Sequence, residues 1–279
     1  MAASVIVVGS YNQDLVWRTT RFPEAGETST GTFSQGPGGK GFNQAMAAHR
    51  LGCPTLFIAA CGADALGDTA QATAAAQGLD CRWQICAESA TGNAAIWLDA
   101  AGQNRILVDL AANHQLSPAH IDAQSQALDH ARVVLVQQEA NPHASLQALI
   151  RARASGAFTL LNPAPAITGN SELQALADLI TPNESEFAAL LGDVGETLAA
   201  EIIAGMPAAQ LHRLARKLCS PAVIITWGAR GALLSQDSGY REFTAPAVSV
   251  RDSTGAGDCF NGALAAELAE GAGLIDACA

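Results

Sequence analysis

The feature that most narrows the fold is a rhythm. Short unbroken apolar runs, VIVV (5–8), TLFIAA (55–60), VVLV (133–136), FTLL (158–161) and VIIT (223–226), alternate with longer segments whose apolar residues recur three and four apart. The latter include FNQAMAAHRL, DTAQATAAAQ, PHASLQALIRARA, ESEFAALL and PAAQLHRLARKL. An apolar run without polar alternation is what a strand buried on both faces looks like, and the three-and-four spacing is that of a helix with one apolar stripe. Strand and helix in turn imply a mostly parallel sheet, helices on both of its faces and right-handed crossovers. In such a sheet, ligands bind beyond the carboxyl ends of the strands.

Two stretches break the rhythm. Residues 12–35 (LVWRTT and TSTGTFSQ around a Pro/Gly turn) and 93–110 (NAAIWLDAAGQNRILVDL around the turn at Ala101-Gly102) read as strand pairs with no helix between them. They form one small β-sheet projecting from the core. The expectation is therefore one α/β domain over residues 1–279: a three-layer, Rossmann-like sandwich carrying a β projection.

Composition excludes several function classes. With 49% hydrophobic and 15% charged residues the chain packs a core, and with a net charge of -11 it repels nucleic acid and anionic membranes, both of which need clustered Lys and Arg. No apolar run approaches the roughly 20 residues of a membrane span, and MAASVIVVGS lacks a basic leader and reads as a first strand. Seven cysteines without a C-x-x-C pair, several in apolar runs, point to reduced thiols and a cytoplasmic location.

Chemistry enters at DSTGAGDCFNGALAAEL, residues 252–268. Gly255, Ala256 and Gly257 stand at a helix entrance, where unpaired backbone N–H groups and the positive end of the dipole favour an anion, with Asp258 in the same first turn. The stretch also reads as an ordinary helix start, with Ser253 or Thr254 as cap and Asp258 as dipole partner. A second glycine-rich stretch, GPGGKGFNQA (36–45), contains G-x-G-x-x-G but follows a β projection instead of a first βα turn, and it lacks the spacing of a P-loop. By itself it also reads as a hinge before helix 42–51.

Together, GGKGFNQA and DSTGAGDCFNGAL resemble the two signature motifs of the PfkB carbohydrate kinase family, in its ribokinase branch. GSYNQD (9–14), QQEANP (137–142), LNPAPA (161–166), TPNESE (181–186) and ITWGARG (225–231) are similar to further elements of that family, in the family's order. The resemblance implies transfer of the ATP γ-phosphoryl group to a primary hydroxyl of a small sugar, ribose first. A nucleoside, fructose or a 2-keto-3-deoxy sugar acid are the other acceptors it allows, and a non-catalytic sugar or nucleotide binder is the reading from another class.

Roles carried over by the resemblance are as follows. Asp258 is the base, with the N–H groups of Gly255, Ala256 and Gly257 on the migrating phosphoryl oxygens. Asn12, Asp14, Gly39, Lys40, Asn43 and Glu139 hold the sugar, and Asn183, Thr226, Gly228 and Gly231 the nucleotide. Asn183 and Glu186 organise Mg2+, chiefly through water, and Asp252 and Thr254 contribute to a monovalent cation such as K+. The β projection becomes a lid and a homodimer surface, with Trp17, Phe33, Ile96 and Trp97 on its apolar faces. Read without the family, Asn12 and Asp14 also suit a turn, Glu139 a solvated loop, and Asn183 with Glu186 a helix-start capping box.

Some positions depart from the pattern. Phe42 replaces a small residue, Cys259 a frequent Thr, and Trp227 adds bulk beside the nucleotide turn, while Asn93, Trp97 and Asp109 are expected to touch the sugar side. The sequence stops at GAGLIDACA, short of a helical region the family normally carries, so either that region is left out of this numbering or the adenine pocket and cation site are abbreviated.

Overall fold

Every residue of Val5–Val8 is fully buried, and alternation along this strand divides its side chains between two cores. Ile6 and Val8 join one apolar cluster, Val5 and Val7 the other. A strand with apolar side chains on both faces must be covered on both, and each buried Val or Ile contributes about 1.5–3 kcal/mol. Three layers follow. The computed structural model describes residues 3–250 and 253–279.

In chain order the strands are β1 (Val5–Val8), β2 (Asn12–Arg18), β3 (Thr32–Gly38), β4 (Thr55–Gly62), β5 (Asp80–Cys86), β6 (Asn93–Leu98), β7 (Asn104–Asp109), β8 (Val133–Val136), β9 (Phe158–Leu161), β10 (Leu179–Ile180), β11 (Ala222–Thr226), β12 (Ala232–Gln236) and β13 (Gly239–Phe243). Nine of them form the main sheet, in the order β13-β12-β11-β10-β9-β8-β1-β4-β5. Neighbours from β11 to β5 run parallel, and β12 and β13 add an antiparallel edge. One core lies under helices Lys40–Arg50, Ala65–Ala76 and Ala256–Glu270, the other under helices Pro142–Ser155, Glu184–Asp193 and Ala208–Ala215.

The two non-helical stretches make a separate four-stranded sheet, β3-β2-β6-β7, in which β2 and β6 pair in parallel between two antiparallel hairpins. Strand β3 runs to Gly38, beyond the expected boundary at 35, so the first glycines of GPGGKG are paired backbone and only Gly39 remains before the helix. Register also fixes the faces of this sheet. Asn93 is in register with Gln13 and Asp109, and Trp97 with Trp17. Side chains alternate along a strand, so these residues lie on the face opposite Asp14, whose own face carries Ala94, Ile96 and Val108.

Phe42 and Trp227 find structural roles. Phe42 is buried, with its ring edge-on to Tyr11 at 5.3 Å and to Phe57 at 6.0 Å, and Trp83 closes the cluster against Tyr11 and Phe57. Trp227 turns into the core beneath the guanidinium of Arg230, 4.1 Å from its ring.

Candidate active site

Two helix entrances meet beyond the carboxyl ends of the central strands. Helix Ala256–Glu270 packs against helix Lys40–Arg50 at Gly262, where a Cβ would lie 2.4 Å from the carbonyl of Gln44 and 2.6 Å from Ala47 Cβ. Only a glycine lets the two backbones approach so closely. The result sets Asn43 and Gln44 directly against Asp258.

Asp258 is 8% exposed. Asn43 Nδ2 donates to its Oδ2 at 3.0 Å, and Gln44 Nε2 donates to its Oδ1 at 3.0 Å. The helix behind it starts at Gly255 in the left-handed conformation (φ 72°), an N-cap residue without a side chain. The N-cap is thus Gly255 rather than Ser253 or Thr254, and the entrance turns its polarity toward the cleft. Of the three expected oxyanion donors, the Ala256 N–H already donates to Ser253 O at 3.1 Å, so in this conformation it is turned into the chain's own turn. Gly255 and Gly257 line the cleft. Asp252 lies outside the described residues.

That cleft encloses about 560 Å3 and brings together Lys40, Asn183, Glu186, Thr226, Gly228, Gly231 and Asp258. Asn183 and Glu186 form a full capping box: Asn183 Oδ1 accepts from Glu186 N and Glu186 Oε2 from Asn183 N, each at 2.9 Å. Asn183 Nδ2 adds a bond to Glu186 Oε1 at 3.0 Å. The helix-start reading is thus realised at the wall of the cleft. Burial pushes the Glu186 carboxyl above its ordinary range, opposed by the Asn183 backbone and the Lys40 charge.

A second depression, about 570 Å3, adjoins the first at Gly255 and holds Asp14 and Asn43. Asn12 is buried, and its Oδ1 accepts from Asn113 Nδ2 at 2.9 Å. Glu139 Oε2 accepts from Ser10 Oγ at 2.6 Å and from the Lys40 N–H at 3.0 Å. Burial, and then the negative charge of Glu139, push Asp14 up to about 6. Gly39 (φ 88°) seals the joint, since a Cβ there would lie 2.7 Å from Asn12 N and 2.9 Å from Ser10 O.

Four residues of the site were not singled out from the sequence: Ser10, Gln44, Asn113 and Asn162. The first, second and fourth lie inside GSYNQD, GPGGKGFNQA and LNPAPA, where their burial was the missing information. Asn113 had no signal, because its contacts to Tyr11 and Asn12 span about a hundred residues of chain.

The model of the pfkB family carbohydrate kinases matches residues 2–279. The chain belongs to this family. Its relatives include a ribokinase of Mus musculus, 37% identical over 273 residues that cover 96% of this chain and 82% of the relative. A ribokinase of Haemophilus influenzae is 34% identical over 97% of this chain and 87% of its own. Among solved structures, a ribokinase of Thermotoga maritima superposes with a TM-score of 0.86 at 32% identity, covering 99% of this chain and 89% of that one. An Arabidopsis thaliana ribokinase, complexed with ribose and ATP, gives 0.81 at 29% identity over 99% and 89%. This PfkB-family chain is a sugar kinase of the ribokinase type.

Proposed function

We propose that this protein transfers the γ-phosphoryl group of ATP to a primary hydroxyl of ribose, or of a closely related small sugar, with Asp258 as general base. The observation that carries this reading is the position of Asp258. It is a nearly buried carboxylate in the first turn of the helix that opens at Gly255, the glycine where the two depressions meet.

In this assignment the sugar lies against Asp14 and Asn43, and Asn12, Gly39, Lys40 and Glu139 of the adjoining segments are assigned to its hydroxyls. Several hydroxyls need paired donors and acceptors, and the buried amides and two carboxylates provide them. Oδ2 of Asp258 accepts the hydroxyl proton as the oxygen attacks phosphorus in line, and the leaving group is ADP. The Gly255 and Gly257 amides receive charge on the migrating phosphoryl oxygens, joined by Ala256 once its bond to Ser253 opens. ATP lies along Asn183, Thr226, Gly228 and Gly231, with Lys40 as the cationic neighbour of its phosphates.

Mg2+ fits the wall of this cleft. Glu186 offers hard oxygens, each taking one Asn183 donor and keeping another lone pair for a metal-bound water. The ion would neutralise phosphate charge during transfer. A monovalent cation such as K+ belongs to the proposal beside Thr254.

The small sheet acts as a lid. Its Asp14 face carries the apolar Ala94, Ile96 and Val108, which exclude water from the sugar. The other face exposes Trp17 and Phe33 in contact at 5.1 Å, and β7 leaves Leu107 76% exposed. Such a patch suits a homodimer. No helix of the described residues is long and apolar enough to cross a membrane, and the free cysteines suit the reducing cytoplasm.

The test is ADP release from Mg-ATP with a panel of ribose, 2-deoxyribose, fructose, a nucleoside and a 2-keto-3-deoxy sugar acid, in K+ and in Na+ buffers. Ribose is expected to give the highest kcat/KM. Absence of sugar-dependent ADP release would overturn the assignment, and a preference for another panel member would correct the acceptor.

A further inference from the structure

Behind Asp258 lies a chain of buried side-chain amides. Gln44 is fully buried, as is Gln137 but for 1% of its surface, and Asn162 is 6% exposed. Gln137 Nε2 donates to Gln44 Oε1 at 2.6 Å, and Gln44 Nε2 divides its two hydrogens between Asn162 Oδ1 and Asp258 Oδ1, each at 3.0 Å. Asn162 Nδ2 then donates to Thr181 O at 3.1 Å. Thr181 Oγ1 donates to Asn261 Oδ1 at 2.5 Å, and Asn261 Nδ2 returns to the Gly257 carbonyl at 2.8 Å. The path begins at the base and ends on the backbone of the helix entrance.

The orientation of Gln44 follows from chemistry. An ionised carboxylate only accepts hydrogen bonds, so the Gln44 atom facing Asp258 has to be the amide nitrogen, which leaves Oε1 for Gln137. Both donors and the acceptor are then used. The two carboxylate oxygens are thereby distinguished: Oδ1 faces inward to a fully buried amide, whereas Oδ2 meets Asn43 on the side of Gly255, where the depressions join.

We propose that Gln44 is the positioning residue of the phosphoryl transfer, anchoring Asp258 Oδ1 so that Oδ2 alone is presented to the acceptor hydroxyl. This rests on Asp258 being the base. Gln44 reaches neither substrate directly. It restricts the carboxylate to one rotamer, and small misplacements of a reacting group lower the rate steeply. The charged groups sharing the cleft with Asp258 are Lys40 on helix Lys40–Arg50 and Glu184 and Glu186 on helix Glu184–Asp193.

Two variants of the full chain test it, each with steady-state kinetics over pH and a thermal melt. Gln44→Met keeps length and removes both donors; kcat is expected to fall about ten- to a hundredfold, with KM for sugar and for ATP within a few fold. Gln44→Glu keeps shape and the acceptor toward Gln137 but sets a second carboxyl against Oδ1. Two such groups share a proton, so the acid limb of kcat is expected to move up by about two pH units, with activity recovering at high pH. A purely structural residue would lower kcat without moving that limb.

Full kcat in a stable Gln44→Met protein, or a Gln44→Glu profile depressed equally at every pH, would overturn the proposal. If Gln44→Met does not fold, the Gln44→Glu profile decides. A wild-type protein that releases no ADP with any sugar would instead sink the kinase assignment itself, whereas an active wild type with indifferent variants sinks only the role of Gln44.

Discussion

The hydroxyl of Ser10 donates to Glu139 Oε2 at 2.6 Å, closing 129 residues of chain with a single hydrogen bond. The same oxygen accepts the Lys40 N–H. One carboxylate thus ties together the loop after β1, the loop after β8 and the start of helix Lys40–Arg50, and its charge is felt by Asp14.

Asp14 should therefore give opposite signs in binding and in stability. Its carboxyl is pushed up to about 6, so the ionised acceptor is present above that pH and lost below it. KM for the sugar is expected to rise as pH falls through about 6, and an Asp14→Asn variant should bind weakly without that dependence. Stability runs the other way: a carboxyl with a raised folded-state pKa stabilises the fold at low pH, and this contribution is lost as pH rises from about 4 to about 6. Asp14→Asn should then melt higher than wild type at pH 7.5, by a margin that shrinks as pH falls and closes below about 4. A variant that melts no higher at pH 7.5 would contradict the burial argument.

Asp258→Asn tests the base. The amide keeps the shape of the carboxylate and cannot take the proton, so kcat is expected to fall by about 10²–10⁴ while sugar affinity, read by calorimetry, changes only a few fold. Near-normal turnover would remove Asp258 from the reaction.

Gly39→Ala probes the joint between the sugar loop and the helix. At φ 88° and ψ 135° the backbone is in a region closed to other residues, and the new methyl would meet Asn12 N at 2.7 Å. The cost should be about 1–3 kcal/mol of stability by denaturant titration, accompanied by a higher sugar KM because Asn12 is displaced.

Leu107→Glu addresses the lid surface. Leu107 is 76% exposed on β7 and shares a face with Trp97 and Trp17 through the strand register. Sedimentation velocity at micromolar concentration is expected to show a dimer for wild type and a monomer for the variant. A monomeric wild type would refute the dimer.

The reach of the sequence can be judged from particular residues. Val5–Val8 announced itself because a strand buried on both faces has nowhere to put a polar side chain, and the parallel sheet followed from that pattern. Strand β5 did not, since its mixed DCRWQIC lies at the sheet edge with only part of its surface covered. Asp258 stood out from the bare turn preceding it, whereas Gln44, one residue past the equally legible Asn43, looked like any polar helix residue. Asn93, Trp97 and Asp109, expected on the sugar side, lie on the face opposite Asp14: a strand's two faces differ by one residue, and only pairing with β2 decides which residues share a face with Asp14.

The sequence by itself determined the alternation of strand and helix, the two glycine-rich helix entrances and the acid beside one of them, because periodicity and backbone sterics act over a few neighbouring residues. Tertiary structure alone decided that Gln44 anchors that acid, that Asn113 orients Asn12 and that Glu139 acts on Asp14. Those contacts join segments about a hundred residues or more apart, and their strength comes from burial, which exists only once the layers have closed.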